Sequence, residues 1–268
     1  MTQYESSVEN VSFQNIVTRL TDGQTPRVWS LLVTIFGELA QDEGAKISGL
    51  LLRHMREVIG IKPEAMRVAL HRLRKDGWIE NERKGRTSAH FLTQQGRAQS
   101  AAASPRIYAS RSLRTQAWLV LCDPTQPHGH LDDAGLWLSS NMMVTTENTH
   151  HADTFQAPLN ESANIPEWIK NKICDRETCA KSQAFAETLE AVGKDLTRIP
   201  PLSKLERAVL RILLVHAWRR ILLKTPDLPD RLYPQDWYGP QCRAQMTSLL
   251  SQFPKLDLDE LENAVLAD

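Results

Sequence analysis

The fold of the N-terminal region is decided by residues 62–93, KPEAMRVALHRLRKDGWIENERKGRTSAHFLT. Pro63 suits the first turn of a helix, where its missing N–H would have no partner anyway. Apolar residues then recur at positions 66, 69, 70 and 73, which is the spacing of one helix face. Gly77 predicts the end of this helix. The opposite face is rich in cations, so the pattern predicts a helix that packs on one side and is basic on the other.

Two short segments after Gly77 predict a β-hairpin. Residues 78–83 and 87–93 can each alternate as a strand, and Lys84-Gly85-Arg86 between them is a glycine-containing turn. A basic helix followed by a basic-tipped hairpin is the layout of a winged helix-turn-helix, whose helix enters the DNA major groove. The charges alone would fit a solvated helix face, but helix, stop and hairpin together favour DNA binding.

The residues before this stretch predict the rest of such a domain. Residues 27–41 have apolar side chains at 29, 32, 33 and 36 and predict one helix. Ile47 predicts a short strand, and Ser48 predicts the N-cap of a second helix that ends at Gly60. We therefore assign residues 25–100 to a winged helix-turn-helix. Residues 1–24 form an N-terminal extension, in which positions 12–20 predict a short amphipathic helix suited to dimer contact.

The charge distribution agrees with this assignment, although the formal net charge of the 268 residues is zero. Residues 27–100 hold thirteen Lys and Arg against eight Asp and Glu, a net of +5, whereas residues 101–268 have a net of −3. A local basic patch matters more than the total charge for contact with phosphates.

The cations of the stretch divide into two predicted roles. Arg67, His71 and Arg72 are expected to approach base edges. The remaining cations are expected to contact phosphates, and these are Arg74, Lys75, Arg83, Lys84 and Arg86.

The rest of the chain predicts two further domains. Residues 106–160 contain three strand-like segments, at 116–122, 134–139 and 141–146, and predict a small α+β domain. Residues 164–268 predict a helical domain, in which one helix opens at residues 165–169, a second spans 182–192 and stops at Gly193, and a third is capped by Ser203. The acidic tail from Asp257 is amphipathic, with Leu258, Leu261, Val265 and Leu266 expected to face inward. The predicted fold class is α+β and mainly helical.

The sequence holds no recognisable catalytic pattern, so we predict neither an enzyme nor a cofactor. It lacks a Gly-x-Ser-x-Gly nucleophile elbow, a phosphate-binding glycine loop and a His-Glu-x-x-His zinc motif. The four cysteines have no zinc-like spacing, and His150-His151-Ala152-Asp153 is expected to be a loop, so no metal site is predicted. Without a signal peptide or a membrane-spanning run, we expect a cytoplasmic protein with reduced thiols and no membrane contact.

Several segments resemble a known family, the PaaX-type repressors of phenylacetate catabolism. WSLLVTIFGELAQ (29–41), IGIKPEAMRVALHRLRKDGWI (59–79) and KGRTSAHFLTQQGR (84–97) resemble its N-terminal domain. HAWRRILLKTPDLPDRLYPQDWYG (216–239) resembles its C-terminal domain, and GLWLSS (135–140) is similar to a strand of its middle domain.

The resemblance implies a function that composition and spacing do not reach. It implies a homodimeric repressor that binds a palindromic DNA operator and is released by an aryl-acyl-CoA, typically phenylacetyl-CoA, and it implies a ferredoxin-like middle domain. A CoA thioester needs cations for its phosphates and an apolar slot for its aryl group. Candidates by residue type are Arg106, Arg111, Arg114, Trp118, Trp137, Arg219 and Arg220.

Three alternatives stay open on the sequence alone. The regulator could respond to a different ligand, the chain could be an enzyme acting on an acyl-CoA, or the winged domain could serve only for protein contacts. Hydrolysis of acyl-CoAs would identify the enzyme, and failure to retain any genomic fragment at low salt would favour the scaffold.

Overall fold

The computed structural model describes residues 12–21, 27–85, 87–125, 135–148 and 153–267. These residues form ten α-helices and two small antiparallel sheets, which confirms the predicted mainly helical α+β class. No helix in the described ranges combines the length and apolar character that crossing a bilayer requires.

The chain divides into two compact units, each built from separate stretches of sequence. Unit 1 contains residues 1–102, 188–217 and 249–268, and unit 2 contains residues 103–187 and 218–248. Residues 164–268, predicted as one helical domain, contribute to both units. The three consecutive domains at 25–100, 106–160 and 164–268 stay a prediction.

The N-terminal part of unit 1 follows the predicted order of elements. These are α1 (Phe13–Leu20), α2 (Val28–Leu39), β1 (Ile47–Ser48), α3 (Gly49–Ile59), α4 (Pro63–Lys75), β2 (Ile79–Lys84) and β3 (Thr87–Leu92). Helix α5 (Gln94–Ile107) follows the hairpin. The Ser48 hydroxyl accepts a hydrogen bond from the N–H of Leu51 at 3.0 Å and caps α3 as predicted. Gly60 ends α3 at a φ of +79°, a backbone conformation that favours glycine.

The predicted hairpin is confirmed as β2 and β3. Their antiparallel register runs from Ile79 opposite Leu92 to Lys84 opposite Thr87, and β1 pairs on the other side of β3. Gly85, between the strands, has a φ of +64°.

Helix α4 buries a narrower face than its spacing predicts. Met66, Ala69 and Leu73 are buried, whereas Leu70 is only half-buried because it lines an open cleft beside the hairpin.

Helix α2 buries a wider face than its spacing predicts. It is buried almost all round, with only Trp29, Ser30 and Gly37 half-exposed. Its Thr34 hydroxyl lies 3.3 Å from the Nδ1 of His216, so a segment from the C-terminal part of the chain contacts it.

Unit 1 also contains the last part of α7 (Arg176–Leu196), the first part of α8 (Lys204–Leu222) and α10 (Leu258–Ala267). Arg211 of α8 donates to the Glu38 carboxylate of α2 at 2.6 Å and to the Phe253 carbonyl at 3.0 Å. The side chains of Glu38 and Arg211 are 3% and 14% exposed, so this is a buried ion pair.

Helix α10 packs against α3 and β1. The Glu262 carboxylate accepts hydrogen bonds from the Ser48 N–H at 2.7 Å and the Ser48 hydroxyl at 2.6 Å. Leu261 and Val265 face inward as predicted, but Leu266 is 70% exposed, so its predicted burial is wrong. Helix α1 also buries its apolar face, through Ile16, Val17 and Leu20, within its own chain.

Unit 2 is built on a four-stranded antiparallel sheet. Its strands are β4 (Trp118–Cys122), β5 (Leu136–Ser139), β6 (Met142–Thr145) and β7 (Thr154–Pro158), in the order β5-β6-β4-β7. The sequence predicted the first three but not β7. A ferredoxin-like arrangement needs helices after the first and third strands. Residues 126–134 and 149–152, in those connections, lie outside the described residues, so that arrangement stays a prediction.

Helices complete unit 2, with α6 (Glu167–Ile173), parts of α7 and α8, a 3₁₀ turn (Asp230–Leu232) and part of α9 (Gly239–Gln252). Its core joins Leu138 and Val144 of the sheet to Ile173, Tyr233 and Trp237. Helix α7 continues through Gly193, so the predicted stop there is wrong, whereas Ser203 does cap α8 by accepting from the Glu206 N–H.

Breaking the buried ion pair should destabilise the protein. Glu38→Ala removes the carboxylate that compensates the charge of Arg211, and should lower the free energy of unfolding by about 3 kcal/mol. Glu190→Ala, which breaks the exposed pair between Glu190 and Lys194, is the control and should leave the urea midpoint almost unchanged. Equal losses in the two variants would contradict a special role for the Glu38–Arg211 pair.

Candidate nucleic-acid interface

The solvent-facing side of α4 carries the predicted DNA-contacting residues. Arg67, His71, Arg72, Arg74 and Lys75 are all exposed, and so is Arg83 on β2. Lys84 ends β2, and Arg86 lies outside the described residues. The structure thus brings the described members of the predicted set to one helix and the strand that follows it.

Two of these arginines are held by neighbours, which restricts where they reach. The Arg72 guanidinium lies over the Trp29 ring at 5.2 Å, and its Nε is 3.4 Å from the Asp76 carboxylate. Arg74 donates to the Asn81 side-chain oxygen at 2.9 Å and so links α4 to β2. Arg72 therefore lies toward α2, and Arg74 toward the hairpin.

Val68 is an exposed apolar residue that the sequence reasoning did not use. It is 62% exposed and lies between Arg67 and the turn that carries His71. Its position opposite the apolar stripe was visible in the sequence, but a single valine among cations gave no signal for a role.

A cleft of about 390 Å³ opens between α3, α4 and the hairpin, and we call it the α4–hairpin cleft. Its floor is apolar and includes Leu52, Met66 and Leu70. Five arginines also line it, and these are Arg53, Arg56, Arg67, Arg74 and Arg83. No Asp or Glu belongs to this lining among the described residues, so the cleft is a concentrated positive site.

His90 of β3 lies in the wall of the α4–hairpin cleft. Its side chain is buried, and its Nδ1 has no hydrogen-bond partner among the described residues. Burial, together with the charge of Arg74, lowers the pKa of the His90 imidazole below its ordinary value of 6.5. Neither His90 nor Arg53 was predicted as a site residue, because only the fold brings β3 and α3 beside α4.

The predicted effector residues of unit 2 fall into separate places. Arg106 and Arg114 both approach the Asp227 carboxylate, at 3.5 and 2.7 Å, and Arg106 also donates to Thr225 and the Pro226 carbonyl. Arg106 and Asp227 line a small cavity together with Arg111. Its volume of about 10 Å³ is far below that of a ligand pocket. These contacts fasten the proline-containing segment after α8.

The other four predicted effector residues lie on the sheet and on α8. The strand register places Trp118 and Trp137 on one face of the sheet with Val120. Arg219 is half-buried, and burial lowers the pKa of its guanidinium, whereas Arg220 is exposed. The structure thus brings Arg106, Arg111 and Arg114 together near Asp227. No contact among the described residues joins all seven predicted effector residues into one site.

Cysteine and metal chemistry contribute no further site in the described part of the chain. All four cysteines are buried free thiols. No group of three His, Cys, Asp or Glu side chains among the described residues is placed to hold a metal ion. His150, His151 and Ala152 lie outside the described residues.

Comparison with known proteins finds similarity at both ends of the chain. A family model described as PaaX-like protein matches residues 27–96, which include the whole lining of the α4–hairpin cleft, and the PaaX-like protein C-terminal domain matches residues 174–256. The transcriptional repressor PaaX of Escherichia coli K12 is 27% identical over 243 residues, covering 80% of this chain and 76% of that protein. The uncharacterized protein Rv0674 from Mycobacterium tuberculosis is similar over 88% of this chain and 97% of its own, with 16% identity and a TM-score of 0.46.

The environment of His90 predicts a measurable pH dependence. Its lowered pKa keeps the imidazole neutral at pH 7, so it contributes stability that is present above pH 6.5 and is lost as the pH falls through the folded-state pKa. An NMR titration should give His90 a pKa below 6.5. Arg74→Gln should raise that value, and Lys75→Gln, a neighbouring exposed cation, should not. A His90 pKa at or above 6.5 would contradict the described environment.

Proposed function

Since this chain belongs to the PaaX-type family, we propose that it is a DNA-binding transcriptional repressor whose residues 27–96 form a winged helix-turn-helix. The observation that carries the proposal is the exposed cationic face of α4 beside a hairpin on which Arg83 is also exposed. In this arrangement α3 and α4 are the two helices of the motif, joined by the short turn at Gly60, and β2 and β3 are the wing.

Helix α4 would enter the major groove with its exposed face toward the bases. Arg67 and His71 are assigned to base edges, and Val68 to the methyl group of a thymine, the apolar mark of that base in the groove. Arg72 is reassigned to the backbone, because Trp29 and Asp76 hold it at the flank of the helix. Phosphate contacts are assigned to Arg74, Lys75, Arg83, Lys84 and Arg86.

A second copy of the chain would complete the reading of an operator. Two symmetry-related α4 helices require two inverted half-sites, which is the reason a homodimer binds a palindrome. The half-site centres should lie about one helical turn, ~10 bp, or a multiple of it apart.

An aryl-acyl-CoA such as phenylacetyl-CoA is the proposed effector that releases the repressor from DNA. The support for it is family membership. Asp227 already pairs with Arg106 and Arg114, so the arginines better placed to meet the CoA phosphates are Arg111 and Arg220, which are exposed and have no carboxylate partner among the described residues. Release requires that the ligand bind more tightly to the conformation that does not fit the operator.

The base-reading role of α4 can be tested on duplexes that the purified protein selects from genomic fragments. Arg67→Ala should weaken binding to the selected sequence by about 1–3 kcal/mol and relax its preference over unrelated DNA. Lys75→Ala is the matched control and should weaken binding to both duplexes alike, with a smaller salt dependence. Equal loss on both duplexes for Arg67→Ala would assign Arg67 to the backbone, and no retention of DNA at low salt would overturn the repressor proposal.

The effector is tested separately from DNA binding. Phenylacetyl-CoA should release the selected duplex in a gel shift and raise the melting temperature of the free protein, because a ligand stabilises the state that it binds. Acetyl-CoA and free CoA are the controls, since they keep the phosphates and lack the aryl group. An unchanged gel shift with phenylacetyl-CoA would reject it as the effector and leave the DNA-binding proposal standing.

A further inference from the structure

The α4–hairpin cleft holds more positive charge than its own contacts compensate. Arg56 is paired with Glu57 and donates to the Ile61 carbonyl, and Arg74 is bound to Asn81. Arg53 and Arg83 are exposed and have no carboxylate partner among the described residues, although the cleft brings them to one concave surface. Like charges gathered without counter-charges are a site for an anion.

The position of the cleft suggests which anion occupies it. A winged domain places its helix in the major groove and its wing on the backbone or adjacent minor groove. The sugar–phosphate strand that separates these grooves must then cross the space between helix and hairpin, and that space is the α4–hairpin cleft. Its apolar floor of Leu52, Met66 and Leu70 suits the carbon face of a deoxyribose, and its arginines suit phosphate oxygens.

His90 provides a second sign that the site lacks its ligand. A buried ring nitrogen without a partner is costly, and most buried polar atoms in folded proteins are hydrogen-bonded. The Nδ1 of His90 is such an atom, and His90 lines this cleft. A phosphate oxygen, or a water that it orders, would supply the missing partner.

We propose that the α4–hairpin cleft is a clamp for one backbone phosphate of the bound DNA, held between Arg53 of α3 and Arg83 of β2. Arg53 becomes a DNA contact that does not belong to α4 or to the hairpin. Asn81 acts as a positioning residue, because its bond to Arg74 ties α4 to β2 and sets the width of the cleft. This clamp rests on the proposed DNA-binding function and specifies which strand segment the protein grips.

The clamp predicts a loss of affinity that does not depend on sequence. Arg53→Ala in the full chain should weaken binding about tenfold or more on both selected and unrelated duplexes, as expected for a charge-assisted contact. The slope of log affinity against log salt should fall by about 0.9, the value for one phosphate. Arg198→Ala is the control, because Arg198 is another exposed arginine of unit 1 without a carboxylate partner among the described residues, and it should bind like the wild type.

Single methylphosphonate substitutions locate the clamp on the DNA. One position in each half-site should weaken the wild type, and the same substitution should cause little further loss with Arg53→Ala, since the two changes remove one contact. Thermal unfolding should show that Arg53→Ala folds normally, and Arg53→Lys should restore part of the affinity.

The outcomes separate the clamp from the function on which it rests. Wild-type affinity in Arg53→Ala, or a loss that adds fully to that of every methylphosphonate, would overturn the clamp while DNA binding stands. Failure of the wild type to retain any duplex at low salt would overturn both proposals.

Discussion

The buried ion pair between Glu38 and Arg211 is the constraint on which the N-terminal half of the molecule depends. It fastens α2 to α8, while the remaining bonds of Arg211 reach the end of α9 within the same unit. Helix α2 in turn packs against α4. The basic helix is therefore held against a helix that is itself almost entirely buried and bonded to α8. A charged pair in this position cannot slide as apolar side chains do, because any other alignment leaves a buried charge without its partner.

Because α4 packs against α2 on one side, the cations on its other side face the solvent and can contact another molecule. Arg72 lies on the Trp29 ring and Arg74 is bound to Asn81, so the conformations of both side chains are restricted. Preorganised cations lose less conformational entropy when a phosphate arrives. The α4–hairpin cleft also includes a residue of α3, because the exposed side chain of Arg53 belongs to its lining.

In unit 2, two arginines have a structural role instead of facing an external ligand. Arg106 and Arg114 converge on Asp227 and hold the segment after α8, whose Tyr233 and Trp237 rings stack at 5.1 Å within the core. Residue type alone could not distinguish these structural cations from ligand-binding ones. Any anion that binds to this unit must therefore meet side chains that the folding of the segment leaves unpaired.

The sequence by itself determined the local elements around α4: the cap at Ser48, the start at Pro63, the alternation of the hairpin and the cationic surface. Each depends on a backbone preference or a periodicity that neighbouring residues express on their own. Only the tertiary structure decided that α2 is buried almost all round, that Leu266 stays exposed, and that Arg53 and His90 join the cleft. These outcomes depend on segments far apart in the chain, such as Arg211 against Glu38, and one-dimensional spacing carries no information about which distant surface will cover a helix or leave a cleft beside it.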